Sequence, residues 1–188
     1  MADKINWLNS SDDARSLASV ARKPVLIMFE REDCGGCRAM ERTTFNDDAV
    51  IDFIGERIIP VKLDIFRDKK DRSDFSAYWT PSFYISDHNG KQFYKFEGYF
   101  NPPDFLLKLK SGLMEYFIPK GRYDDGLELF ESVPKAEELS PLYPSFTVYK
   151  GKIILLKSGR SDIIREILSD IRNADPGSAE ARQYFWDI

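Results

Sequence analysis

The residues of this chain best suited to chemistry are its only two cysteines. They stand in Glu32-Asp33-Cys34-Gly35-Gly36-Cys37-Arg38, after the apolar run Val25-Leu26-Ile27-Met28-Phe29 and before Arg38-Ala39-Met40-Glu41-Arg42. The first run reads as a buried strand and the second as a helix, so the pair lies at a strand-to-helix corner. The attacking species in thiol chemistry is the thiolate, and a free cysteine is mostly protonated at neutral pH. Unpaired N–H groups and the positive dipole end at a helix start favour an anion there. The dipole alone contributes about 0.3–1 kcal/mol, while one pKa unit is about 1.4 kcal/mol. Hydrogen bonds must supply the rest, one of them from the second thiol. Cys34 is therefore assigned as nucleophile, and Cys37 as the thiol that resolves a mixed disulfide. The ring they close is small and restricts the unfolded chain little, which suits cycling better than stapling.

Three other readings of the pair fit less well. A structural disulfide is disfavoured by the lack of a second pair and of a secretory signal. Zinc wants four ligands, and His88 is the only histidine, so no metal is expected. Two inert core cysteines are opposed by the Gly35-Gly36 spacer, which is poor in a packed helix interior. His88 reads as a surface residue of a hairpin.

Length and composition set the frame. At 188 residues the chain suits one large domain, or one domain with an appendage. It is 43% hydrophobic and 14% aromatic, enough for a real core. A net charge of -4 leaves no nucleic-acid footprint. No apolar run approaches the roughly 20 residues of a membrane span, and Met1-Ala2-Asp3-Lys4-Ile5-Asn6-Trp7 lacks the apolar segment of a signal peptide. A soluble, cytoplasmic protein is expected, with its thiols facing a reducing pool.

Around the cysteines, patterning predicts the positioning elements. Residues 10 to 22 read as a helix with Ser10 or Ser11 as cap and Leu17, Val20 and Ala21 as its apolar face. Trp7 reads as a core residue. Strand 25 to 30 is apolar on both faces, as a central strand should be. The cysteine-bearing helix runs to about Thr43. Asn46-Asp47-Asp48 opens another helix, and Ile58 to Ile65 is the next strand. The charged stretch Arg67 to Asp74 reads as a solvated face, and Phe75 to Trp79 as helical. Asn89-Gly90 joins 82–86 to 91–97 as a hairpin. Pro81, opening that strand, suggests an edge or a cis bond in a tight approach. A last helix begins at Asn101-Pro102-Pro103-Asp104, with Phe105, Leu106, Leu109, Leu113 and Phe117 as its apolar face. This order gives an α/β fold with a mixed sheet covered by helices.

The strand ending in Cys-x-x-Cys, followed by Trp79-Thr80-Pro81-Ser82-Phe83, the Asn-Gly hairpin and Gly98-Tyr99, resembles the thioredoxin superfamily over residues 1–118. Phe45-Asn46-Asp47 and Val61-Lys62-Leu63-Asp64 most resemble its branch near the C-terminal domain of the periplasmic electron-transfer disulfide reductase. The resemblance implies a thioredoxin-like fold, Cys34 and Cys37 as the redox pair, and a cis Thr80-Pro81 bond facing them. That bond would shape a groove for an extended substrate and keep metal off the thiols. Two departures bear on the Cys34 pKa. Asp33 stands where tryptophan is usual, and should oppose the thiolate and raise its pKa, with Arg38 and Arg31 as offsets. Gly35-Gly36 stands where Gly-Pro is usual. Met28 also occupies the place of a buried acid, so a proton-transfer helper is either missing or supplied by Glu30 or Glu32.

Composition changes after Pro119. Residues 119–188 read as a mainly helical extension. Lys120 to Phe130, and again Gly159 to Leu168, resemble the turn and second helix of a tetratricopeptide repeat. Two degenerate copies are too few for an independent array, so this part should lean on the first. A last helix starts at Pro176-Gly177-Ser178 and ends in Tyr184-Phe185-Trp186. Tyr143 to Ile153 is ambiguous: propensity reads strand, with an echo of Thr80-Pro81-Ser82-Phe83, while the flanking repeat register reads helix. The expected activity is thiol–disulfide exchange with disulfide-containing protein substrates, without an organic or metal cofactor. Electrons would come from a reductase or another thiol protein. The alternative is a redox-sensitive interaction module whose C-terminal helices recruit a client.

Overall fold

The computed structural model describes residues 4–184, so Phe185 and Trp186 of the expected last helix lie outside it. The chain divides into two units, Met1–Tyr116 and Phe117–Ile188. The first runs α1 (Ser11–Ala21), β1 (Val25–Glu30), α2 (Gly35–Arg42), α3 (Asp48–Arg57), β2 (Ile59–Asp64), α4 (Lys69–Asp74), β3 (Ser82–Ser86), β4 (Gln92–Glu97) and α5 (Pro102–Phe117). The sheet order is β2-β1-β3-β4. β1 runs parallel to β2 and antiparallel to β3, and β3 to β4 is the expected hairpin. This is the mixed sheet flanked by helices that the pattern predicts.

β1 is buried from Val25 to Phe29 because helices cover both its faces. Val25, Ile27 and Phe29 point to one side, where they meet Ala14, Ala18, Val61, Leu63, Phe75 and Tyr84. The other side carries an aromatic cluster. Phe83 stacks on Phe96 at 4.9 Å, and Phe105 meets Phe83 and Phe45 edge-on. β3 is an inner strand, so of the two readings of Pro81 the edge is ruled out, and the Thr80–Pro81 bond is cis. Leu8 forms a parallel bridge to Val61, donating to the Pro60 carbonyl and accepting from the Lys62 amide, and so straps the outer side of β2. Trp7 beside it is half-buried against Phe45.

Two helix expectations need correcting here. The buried face of α1 is Ser11, Ala14 and Ala18, while Leu17 and Val20 are exposed. Small side chains let the helix lie close on the sheet, so size rather than hydrophobicity selects the inner face. The helix expected at Phe75 to Trp79 lies upstream, in the charged run that forms α4, whose residues are all at least partly exposed. Phe75 and Ala77 are buried while Ser76, Tyr78 and Trp79 are exposed, an alternation of two that no helix supports.

The second unit is helical: α6 (Tyr123–Glu131), α7 (Lys135–Glu138), α8 (Tyr143–Ser158), α9 (Asp162–Ala174) and α10 (Ala179–Gln183). The ambiguous stretch at Tyr143 is thus helix. α8 packs on two sides: Phe146 stacks on Phe130 of α6 at 5.6 Å, and Val148 meets Leu168 and Ile171 of α9. A helix buried on two sides needs apolar residues all round, which blurs its periodicity and imitates a strand. Gly151 makes the close crossing, since a Cβ there would lie 2.9 Å from the Ile164 Cα. Among the described residues no helix is long and apolar enough to cross a membrane.

Gly112 holds α5 against the hairpin in the same way, because a Cβ would lie 2.5 Å from Ile85 Cγ1. Overpacking typically costs about 1–3 kcal/mol, and alanine returns about 1 kcal/mol of helix propensity. Gly112→Ala should therefore lower stability by about 1 kcal/mol in urea unfolding, the middle of a range from roughly 0 to 2. An unchanged midpoint would show that the contact is loose.

Candidate active site

The redox pair is placed by the end of β1 and the start of α2. After Glu30 the chain turns through Arg31 to Asp33, and the Cys34 amide donates to the Arg31 carbonyl at 3.2 Å. Cys34 is the N-cap of α2, extended at φ -83 and ψ 106. Its Sγ accepts the Cys37 amide at 3.0 Å. Sulfur thus fills the role that serine or aspartate plays at other helix starts, and a negative charge on it would face unpaired N–H groups. Cys34 and Cys37 are joined as a disulfide, with Cα atoms 5.2 Å apart. Each cysteine is only 3% exposed, so partners reach a narrow window of the pair.

Pro81 forms one wall. Its ring lies so close to Gly36 that a Cβ there would sit 2.9 Å from Pro81 Cδ. Gly36 is therefore the spacer residue whose missing side chain matters, whereas Gly35 has open space around it. The Pro81 carbonyl accepts the Gly98 amide at 2.9 Å, which fixes the start of β3 to the end of β4. Thr80, half-buried, leads into the wall. Tyr99 Oη lies 3.3 Å from Thr43 Oγ1, tying the loop after β4 to the end of α2.

The charged neighbours divide by exposure. Asp33 and Glu32 are exposed, and the Arg38 guanidinium donates to the Glu32 carbonyl at 3.1 Å, bracing the turn before Cys34. Glu30 is half-buried. Burial raises its pKa above the usual carboxylate value; Lys62 opposes that rise, while Glu41 and Asp64 add to it. Lys62 Nζ lies 3.8 Å from Glu30, pairs closely with Glu41, and sits 5.0 Å from the centre of the Trp7 ring. Glu30, Glu41 and Asp64 join Cys37 in lining a cavity of about 380 Å³. Both acids that could serve a proton transfer line this cavity with Cys37; Glu30 is half-buried and Glu32 is exposed.

Lys62 has a part that its sequence position alone does not assign. The available signal is a lone cation in an apolar strand, Val61-Lys62-Leu63. Its register partner is Met28, two residues before Glu30 on the same face of β1. Among the described residues no group of three His, Cys, Asp or Glu side chains is arranged to hold a metal ion.

A family model of the thioredoxin-like domain matches residues 11–112. No curated protein matches the chain. Solved structures share the fold. A DsbH oxidoreductase aligns at TM-score 0.54 and 18% identity, covering 60% of this chain and 86% of that one. A putative disulphide-isomerase from Bacteroides thetaiotaomicron aligns at 0.53 and 23%, covering 60% and 96%. A thioredoxin from Thermus thermophilus aligns at 0.51 and 17%, covering 57% and 86%.

Removing the Lys62 cation should push the Glu30 pKa further up, since that cation favours the carboxylate. Lys62→Met with carboxyl-carbon NMR titration tests this. A Glu30 pKa that stays put or falls would show that the two groups are uncoupled.

Proposed function

The chain belongs to the thioredoxin-like family, and on that footing we propose that it is a thiol–disulfide oxidoreductase acting on protein disulfides. The observation that carries this reading is Cys34 at the N-cap of α2, its Sγ already accepting an amide hydrogen. The oxidoreductase and isomerase neighbours share the same fold, which agrees with it.

In the reducing direction the Cys34 thiolate attacks one sulfur of a substrate disulfide. A mixed disulfide forms, and the other substrate sulfur leaves as a thiolate that takes a proton. Cys37 then loses its proton and attacks Cys34 Sγ. The second substrate sulfur leaves and is protonated, so two electrons have passed to the substrate. The product is the Cys34–Cys37 disulfide. A reductase or another thiol protein returns the dithiol, and the reverse sequence oxidises a substrate.

Glu30 is the proton acceptor for Cys37 in this scheme, through the cavity they share. A carboxylate with a raised pKa is a better base than an ordinary one. Pro81 forms the wall along which an extended substrate lies. Asp33, exposed beside Cys34, opposes the thiolate.

Cys34→Ser should abolish insulin reduction, and Cys37→Ser should accumulate mixed disulfides on Cys34 in a lysate. Activity that survives Cys34→Ser would end the assignment. A second prediction concerns pH. As pH falls through the raised Glu30 pKa, the base is protonated and the resolving step slows. In Glu30→Gln that limb should vanish, with the step about 100-fold slower at neutral pH. A profile equal to wild type would exclude Glu30 as the acceptor.

A further inference from the structure

A second cavity, of about 660 Å³, opens beside the site and is lined by Arg31, Phe66, Arg72, Tyr78, Trp79 and Thr80, among others. Among the described residues no aspartate or glutamate lines it, in a chain with 31 acidic and 27 basic residues. Neither Arg31 nor Arg72 forms an ion pair among the described residues, whereas the nearby Arg15 and Arg67 are paired with Asp71 and Asp64. Two guanidinium groups thus face one hollow without a carboxylate partner. Its rim holds Phe66, Tyr78 and Trp79, exposed by 58%, 75% and 59%. Single exposed aromatics are ordinary, but three around one cavity mark a contact surface. The rim is anchored, because Phe75 and Ala77 are fixed in the core and Lys95 lies 4.4 Å from the centre of the Tyr78 ring.

The cavity adjoins the redox pair at both ends. Thr80 leads into Pro81, which abuts Gly36, and Arg31 stands three residues before Cys34. We propose that this cavity is a specificity subsite, which selects substrate segments carrying aspartate or glutamate, with an apolar neighbour, next to their disulfide. The inference rests on the oxidoreductase reading above and names its substrate class. The guanidinium groups receive the carboxylate, singly or as a bidentate pair. The aromatic rim takes the adjacent side chain. Such complementarity acts mainly on encounter rate and selectivity.

Two synthetic peptides with an internal disulfide test this, identical except for an Asp-Glu or an Asn-Gln flank. Their reduction by the dithiol protein is followed by stopped flow. Binding of their cysteine-free serine versions is followed by fluorescence anisotropy. The acidic member should react and bind about fivefold better at low salt, and the gap should shrink as salt rises. Arg72→Glu should remove the preference, and Arg72→Lys should restore part of it. Arg165→Glu, which changes net charge equally on exposed α9, should leave it. Equal behaviour of the two peptides, a preference that survives Arg72→Glu, or an equal loss in Arg165→Glu would overturn the subsite. Reduction without preference sinks the subsite and leaves the oxidoreductase standing. A binding preference with no reduction of either peptide does the reverse.

Discussion

A single hydrogen bond, from the Cys37 amide to Cys34 Sγ, organises the chemistry of this protein. It makes a side chain that can ionise into the cap of a helix, so the stability of α2 and the acidity of Cys34 share one contact. A capping group that gains charge gains strength. The thiolate is therefore held better than the thiol, and reduction of the pair exchanges one covalent link for a stronger cap. For this the helix must begin at Cys34, not a residue earlier or later. Gly36 permits that start to lie against Pro81, and the bond that the Cys34 amide donates to the Arg31 carbonyl sets the turn before it.

The sheet supplies what the helix cannot. β1 is the inner strand that delivers Cys34 at its end, and its neighbour β2 brings Lys62 alongside on the same face as Glu30. Burial makes Glu30 costly to ionise, and Lys62 limits that cost. The acid and the cation lie on separate strands, so their spacing is set by the ladder rather than by loops. β3 completes the frame by opening with Pro81 opposite the helix start.

Much of this could be read from residue order. The strand at Val25, the cap at Ser10, the helix start at Asn46-Asp47-Asp48, the Asn89-Gly90 turn and the apolar face of α5 depend on neighbours close in sequence, and each stands where its pattern predicts. The cysteine pair was legible because its spacer and flanks are contiguous. Misreadings arose where burial is decided from afar. Leu17 looked like an inward residue until the sheet selected Ala14 and Ala18 for closeness. Tyr143 to Ile153 stayed open between strand and helix because two other helices bury α8. Glu30 and Glu32 were equivalent until β1 ended at Glu30 and the turn after it left Glu32 exposed. Arg31 and Arg72 share a cavity only because the segment after β2 folds back, and no local signal records that.

The short N-terminal strap bears on how the molecule keeps to itself. Leu8 bridges to β2 at one edge of the four-stranded sheet, and β4 is the strand at the other edge. There the paired charges of Lys95 and Glu97 discourage a stranger's backbone from docking. A molecule clipped past Leu8 would bare the Pro60 carbonyl and the Lys62 amide. It would then offer a second rim, guarded only by its own Pro60 and Lys62 side chains, to edge-to-edge self-association.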